Sequence, residues 1–154
     1  MIGVLSDTHN SIPAIDRAVD FFNDRPVDLV IHAGDYTSLQ SIEALSNLKS
    51  PLKGVAGNMD TDPDLLTRNY SGDINISPTW RALDYKNRTV YISHRPFRNE
   101  PVKCDVYIHG HTHQSYIEKK EYLKVNPGSC SDRHSNACVA LIKPQKKEAQ
   151  IYEI

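Results

Sequence analysis

IGVLSDTHN, residues 2–10, opens the chain with a short apolar run that breaks off into acid, hydroxyl, imidazole and amide groups. Such a run reads as a buried strand, here expected over residues 2–6, that hands polar side chains to its carboxyl end. Ser11 then stands where a helix cap belongs, with Pro13 in the first turn. Ile12, Ile15, Val19 and Phe22 recur at helical spacing. Asp28-Leu29-Val30-Ile31-His32 reads as a second buried strand, and Ile42, Leu45 and Leu48 repeat the helical pattern over residues 39–48. After the break at Pro51 a third strand is expected over residues 52–56. Strand and helix alternating over the first ~60 residues predict a parallel sheet with crossover helices.

The second half changes character. Residues 81–84, 89–93, 106–109, 115–119, 122–126, 137–142 and 149–154 read as short strands, with polar pairs such as Lys86-Asn87 and Lys119-Lys120 suited to tight turns. One further short helix is expected near residues 62–68. Alternation followed by a run of strands predicts an α/β fold with two packed sheets and helices outside. No Gly-, Ser- or Pro-rich linker divides the chain, so a single domain over 1–154 is expected. A chain of this length can bury roughly 70% of its unfolded surface.

Composition narrows the function classes. With 39% hydrophobic and 24% charged residues, the chain reads as an ordinary globular protein. A net charge of −1 lacks the basic footprint of a dedicated nucleic-acid binder, although a metal site could supply positive charge locally. The three cysteines, Cys104, Cys130 and Cys138, are odd in number and show no CxxC spacing, which favours a reducing compartment. The first strand begins directly after Met1, without a basic and apolar leader, and no apolar run approaches ~18 residues. A cytoplasmic protein without membrane association is expected.

Chemistry concentrates where the strands end. Ser6-Asp7-Thr8-His9-Asn10, Ala33-Gly34-Asp35 and Gly57-Asn58-Met59-Asp60 follow the first three strands. In an open α/β sheet, ligands bind beyond the carboxyl ends of the strands, so Asp7, His9, Asp35 and Asn58 are expected on one rim. Gly34 and Gly57 are expected to permit the tight turns. Ser93-His94 and Gly110-His111-Thr112-His113 end later strands. This mixed nitrogen and oxygen set suits Mn, Fe, Ni or Zn better than Ca or Mg, with Mn²⁺ favoured. Seven ligands are too many for one ion that must keep open positions, and a carboxylate can bridge two ions ~3.5–4 Å apart. Two divalent cations against two aspartates would leave a positive field that favours a phosphate ester.

In this order the motifs resemble the calcineurin-like metallophosphoesterase superfamily. Within it the chain is similar to the short bacterial and archaeal phosphodiesterase family, with Asn126-Pro127-Gly128-Ser129 as a further shared segment. The resemblance covers nearly the whole chain. It implies a four-layer α/β/β/α sandwich of two mixed sheets flanked by helices. It implies that Asp7, His9 and His113 bind one metal, that Asn58, His94 and His111 bind a second, and that Asp35 bridges them. It also implies hydrolysis of a small phosphoester, chiefly a diester, by a metal-bridging hydroxide, with a homodimer as the expected assembly. The rival class is a protein-binding scaffold of the retromer-subunit type that retains a metal site. A nuclease ranks below both, for want of a basic patch or aromatic interleaving.

Two departures from the family pattern stand out. Phosphatase-type relatives carry a histidine after the asparagine, where this chain has Met59, whose thioether cannot donate a proton. Asp60 is expected to orient the loop or a ligand. After His94 the chain reads Arg95-Pro96-Phe97 in place of Gly-His, which puts a cation beside the site. Arg95 or Arg98 could bind substrate phosphate, with a plain surface arginine as the competing reading. Asn58 and Asn10 are further candidates for phosphate contact, Asn10 competing with a helix-capping role. His32 is expected to be a satisfied core histidine or a support for the ligands. His109 is expected to be structural. His134 lies near the Asn126–Ser129 segment without a supporting spacing, and Cys130 is assigned no chemistry.

Overall fold

In a computed structural model the structure describes residues 1–62, 73–99, 103–133 and 136–154. The alternating half forms β1 (Ile2–Leu5), α1 (Ile12–Asn23), β2 (Leu29–His32), α2 (Leu39–Leu45) and β3 (Leu52–Val55). The strand-rich half forms β4 (Ile74–Ser77), β5 (Arg81–Asp84), β6 (Thr89–Ser93), β7 (Val106–His109), β8 (Tyr116–Lys119), β9 (Leu123–Asn126), β10 (Cys138–Lys143) and β11 (Glu148–Glu153).

These strands make two mixed sheets, six-stranded in the order β11-β10-β1-β2-β3-β4 and five-stranded in the order β5-β6-β7-β9-β8. β1 to β4 run parallel, as crossover helices require, while β10 pairs antiparallel to β1 and extends the sheet with β11. In the five-stranded sheet β6, β7 and β9 are parallel, and β5 and β8 are antiparallel edges.

Period-two alternation explains the layering. Ile2, Val4, Leu29, Ile31 and Val55 point one way and meet Val90, Ile92, Val106, Ile108, Leu123 and Val125 of the second sheet. Leu5, Val30, Leu52, Val139 and Leu141 point the other way and meet Ala14, Ile15, Ala18, Val19 and Phe22 of α1 and Ile42 and Leu45 of α2. Each fully buried Ile, Val or Phe in these layers contributes roughly 1.5–3 kcal/mol. The α/β class and the two mixed sheets are as expected. Both described α-helices cover the six-stranded sheet, and no α-helix among the described residues covers the outer face of the five-stranded one.

Other differences are local. Ser11 holds the N-cap position of α1 but makes no side-chain cap; its hydroxyl accepts the Asp132 N–H instead. Ser38 caps α2, accepting the Ser41 N–H at 3.3 Å. α2 ends before Leu48, which still packs against the core. β4 was not expected: it is an edge strand whose only well-buried residue is Ile76, so its apolar signal is weak. The helix expected near residues 62–68 lies, apart from Asp62, outside the described residues. No helix among the described residues is long and apolar enough to cross a membrane.

Candidate metal centre

The loops leaving β1, β2 and β3 are tied to one another before any side chain is considered. Asp7 N–H donates to the Gly34 carbonyl at 2.9 Å, and His9 N–H to that of Asp35 at 3.1 Å. The Asn126–Ser129 segment pins the first loop from below, because Ser129 Oγ donates to the Asp7 carbonyl at 2.9 Å and Cys130 N–H to that of Ser6 at 2.8 Å. Asp60 staples the second loop to the third. Its carboxylate accepts the N–H groups of Asp35 at 2.9 Å, Gly57 at 2.7 Å and Thr37 at 2.8 Å. The expectation that Asp60 orients the loop thus has a geometry. Gly34 takes φ +99°, as a tight turn requires, but Gly57 is required for a different reason. A Cβ there would sit 2.1 Å from Asp35 Oδ1.

On this frame the seven candidate ligands form a continuous set of contacts. His113 Nε2 lies 3.3 Å from Asp7 Oδ1 and 3.2 Å from His9 Nε2. His9 Nε2 lies 3.8 Å from Asp35 Oδ2, which is 3.5 Å from His94 Nε2 on its other side. His94 Nε2 in turn lies 2.9 Å from Asn58 Oδ1 and 3.2 Å from His111 Nδ1. Asp7, His9 and His113 make one tight donor group, with one ligand atom of each within 4.8 Å of the others. Asp7, Asp35 and His94 make a second by the same measure.

The polarity of these contacts shows what they fit. His94 Nδ1 lies 2.9 Å from the Ala33 carbonyl, which can only accept, so Nδ1 carries the proton. Nε2 of the neutral ring is therefore a lone pair, and it faces an amide oxygen, a carboxylate oxygen and another imidazole nitrogen. A single proton would satisfy one of these neighbours; a cation satisfies all of them. Around His9 and His113 ring nitrogen likewise meets ring nitrogen and carboxylate oxygen. Asp7 Oδ1 is buried and has no hydrogen-bond partner among the described residues, although Oδ2 accepts the His111 N–H at 3.0 Å. An unpaired buried carboxylate oxygen costs several kcal/mol unless positive charge meets it. The donor set therefore fits divalent metal.

Burial favours the ligating form of two of the imidazoles. Burial lowers the His9 pKa against the pull of Asp35 and Asp7. Burial also lowers His111, helped by the nearby Arg95 cation. Burial raises the Asp7 carboxyl, opposed by the Ser6 hydroxyl and by His94 and His113. Neutral imidazole is the form that binds metal.

The remaining candidates sort by their partners. His32 is fully buried; Nδ1 accepts the Gly34 N–H at 3.1 Å, so Nε2–H donates to Thr8 Oγ1 at 3.1 Å. It is a satisfied core histidine that also braces the loop between Asp7 and His9. Asn10 does not cap α1: its carbonyl oxygen accepts the Ser38 hydroxyl, which leaves its amide donors for a ligand. Met59 contributes its backbone, donating to Asp35 Oδ1 at 2.8 Å, while its thioether is exposed. Arg95 is exposed beside His94. His109 is held by Tyr116 Oη and the Gly110 carbonyl, away from the ligands. Cys130 is buried, which pushes its thiol up to about 12. His134 lies outside the described residues.

Sequence reasoning passed over Thr8, Ser129 and Tyr107. Thr8 is an intervening residue with no motif of its own. Ser129 was noted only as part of a shared segment, and Tyr107 reads as an ordinary strand aromatic.

Comparison with known proteins identifies the family. The model of the calcineurin-like phosphoesterase superfamily domain matches residues 1–147. A phosphodiesterase of Methanocaldococcus jannaschii is 32% identical over 96% of this chain and 95% of its own length. A solved archaeal phosphodiesterase superposes with a TM-score of 0.91 at 28% identity, covering 99% of both chains. Vacuolar protein sorting 29 of Cryptosporidium parvum shares the fold, with a TM-score of 0.67 at 18% identity over 99% of this chain and 84% of its own.

Proposed function

The chain belongs to the calcineurin-like phosphoesterase superfamily, and from that premise we propose that it is a metal-dependent phosphodiesterase with a dinuclear centre. In this reading Asp7, His9 and His113 hold one divalent ion, Asn58, His94 and His111 hold the other, and Asp35 is shared. The observation that carries it is the convergence of acceptor atoms on two neighbouring points, with the orphaned Asp7 Oδ1 among them. When bound, the ions, with Mn²⁺ the favoured metal, neutralise phosphoryl oxygens and activate water as the nucleophile.

The chain's own residues do the rest. The Ala33 carbonyl fixes the His94 tautomer, and the His32–Thr8 pair and Asp60 hold the first three loops in place. The Asn10 and Asn58 amides and the Arg95 guanidinium bind substrate phosphate. Met59, the residue after Asn58, cannot deliver a proton to the departing oxygen, because its thioether has none to give. The substrate is a small phosphodiester whose leaving group departs readily as its anion; monoesters are slower.

Hydrolysis of bis-p-nitrophenyl phosphate and p-nitrophenyl phosphate by metal-stripped protein, before and after adding Mn²⁺, Ni²⁺ or Zn²⁺, tests the proposal. Turnover is expected only with metal and to favour the diester. His9→Ala and His94→Ala should abolish it in folded protein. The scaffold alternative has support from fold likeness alone. Two ions bound per chain with no turnover would favour it and overturn the enzymatic reading.

A further inference from the structure

Beside Asn58 and His94 opens a cleft of about 380 Å³ whose far wall is aromatic. Trp80 and Phe97 form that wall, and Arg95 and Arg98 stand on its rim. Large apolar side chains are normally covered, yet Trp80 is 52% exposed. Its ring is not loose. It lies parallel to Tyr91 with centroids 5.7 Å apart, and it meets Phe97 edge-on at 6.4 Å. Phe97 is stacked parallel on the buried Tyr107 at 5.6 Å. Tyr107 Oη accepts the Phe97 N–H at 2.9 Å and bonds Ser93 Oγ at 2.8 Å, while Ser93 Oγ donates to the Arg95 carbonyl at 2.7 Å. The segment from the metal ligand His94 to Phe97 is therefore fastened to the sheet through one phenol. Such a wall is organised before anything binds, so little ordering is needed when it is used.

We propose that this cleft is the subsite for the arm of the diester that stays on phosphorus, and that this arm is a flat aromatic group of nucleoside or aryl type stacked on Trp80. The inference rests on the phosphodiesterase reading for the word "arm", and on the cleft alone for the aromatic occupant. The chemistry selects that occupant in two ways. An indole ring offers a π-face to any planar ring, and guanidinium groups sit well over aromatic faces or beside a phosphate. The position selects it too, because Asn58 and His94 belong to both the cleft wall and the metal centre. A phosphate held at the metal centre would have the cleft beside it for an ester arm, because Asn58 and His94 border both. A methyl arm would leave the wall uncovered.

Trp80 is the only tryptophan in the chain, so intrinsic fluorescence reads the cleft without any turnover. Adenosine monophosphate and phenyl phosphate, the nucleoside and aryl cases, should quench it saturably in metal-loaded protein, and methyl phosphate should not. Kinetics with two diesters that share the p-nitrophenyl leaving group, one carrying a phenyl and one a methyl second arm, provide the independent arm. Trp80→Ala should lower kcat/KM for the phenyl ester about tenfold, chiefly through KM, as loss of one stacked ring does. The methyl ester should change less than twofold, and Trp80→Phe should recover most of the loss. Equal losses on both esters would mean that Trp80 only supports the fold, and would overturn the proposal. So would hydrolysis without quenching by either aromatic phosphate. Quenching without hydrolysis of either ester would leave the aromatic subsite standing and remove the phosphodiesterase reading instead.

Discussion

Asp60→Asn is the sharpest test of how the site is built, because it changes one atom of a residue outside the proposed ligand set. Asp60 is 8% exposed, and its carboxylate accepts three backbone N–H groups, two on Oδ2 and one on Oδ1. An asparagine keeps one oxygen. Its better orientation places that oxygen against Asp35 and Gly57 N–H, and turns the NH₂ group toward Thr37 N–H, donor against donor. The lost bond to a charged acceptor costs about 1.5–3 kcal/mol, and each of the two that survive weakens by about 1 kcal/mol when the charge goes. The total is about 4 kcal/mol, a large share of the ~5–15 kcal/mol that holds a domain together. For a chain of this length that is a fall in Tm of about 8–16 °C. Urea unfolding of the metal-stripped protein would give the free energy directly, with an unchanged m-value expected. Turnover should fall as well, because the loops bearing Asp35 and Asn58 lose their staple. A loss under ~1 kcal/mol, with wild-type turnover, would refute the stapling argument.

Gly57→Ala should reduce turnover at least ~10²-fold, because the new methyl must displace Asp35, and ångström-scale misplacement has that cost; stopped assays under saturating metal would check it. Adding metal at about 100 times its dissociation constant should raise the unfolding free energy of stripped protein by about 2.7 kcal/mol, read as a shift in Tm, and His113→Ala should shrink that shift. Stripped protein should lose stability as pH falls below 6.5: burial depresses the His32 pKa, so the unfolded chain takes up a proton there that the folded chain refuses. The slope is up to about 1.4 kcal/mol per pH unit from this residue, and His32→Gln should flatten it in denaturant titrations across that range. Among diesters, rates should fall steeply as the leaving-group pKa rises; equal rates for alkyl and nitrophenyl esters would mean that an acid has been overlooked.

What was legible in the sequence was periodic or chemical. Alternating strands and helices located β1 to β3, and polar clusters at their ends located Asp7, His9, Asp35 and Asn58. What was hidden depended on contacts distant in sequence. Nothing in residues 137–154 says that β10 returns to lie antiparallel beside β1, because strand periodicity does not name a partner. β4 escaped because an edge strand buries too little to show alternation. Gly57 looked like a turn glycine, whereas its missing Cβ makes room for Asp35, 22 positions earlier. Trp80 was an unremarked residue in the sequence. Only the fold brings it to the same cleft as His94.

The backbone adds a constraint that no motif records. Asp7, His9, Asp35, His111 and His113 take φ of +54°, +44°, +63°, +70° and +59°. The left-handed region costs an ordinary L-residue about 1–2 kcal/mol, and aspartate, asparagine and histidine visit it most readily after glycine. Each such residue reverses the chain sharply just past a strand, which is how side chains two apart, as in Asp7-Thr8-His9 and His111-Thr112-His113, come to share one focus. The accumulated cost, under about 10 kcal/mol by that measure because these residue types pay less than the ordinary penalty, is offset where the reversed segments bond to each other, as Asp7 N–H does to Gly34 and His111 N–H does to Asp7. It is offset further when ligands that would otherwise oppose one another share a cation. The residue types at these positions are therefore selected twice, once for the atoms they offer a metal and once for the backbone they tolerate. A valine or isoleucine would offer a metal nothing and tolerates this backbone poorly, whereas an asparagine tolerates it and offers only a neutral oxygen in place of a carboxylate or imidazole.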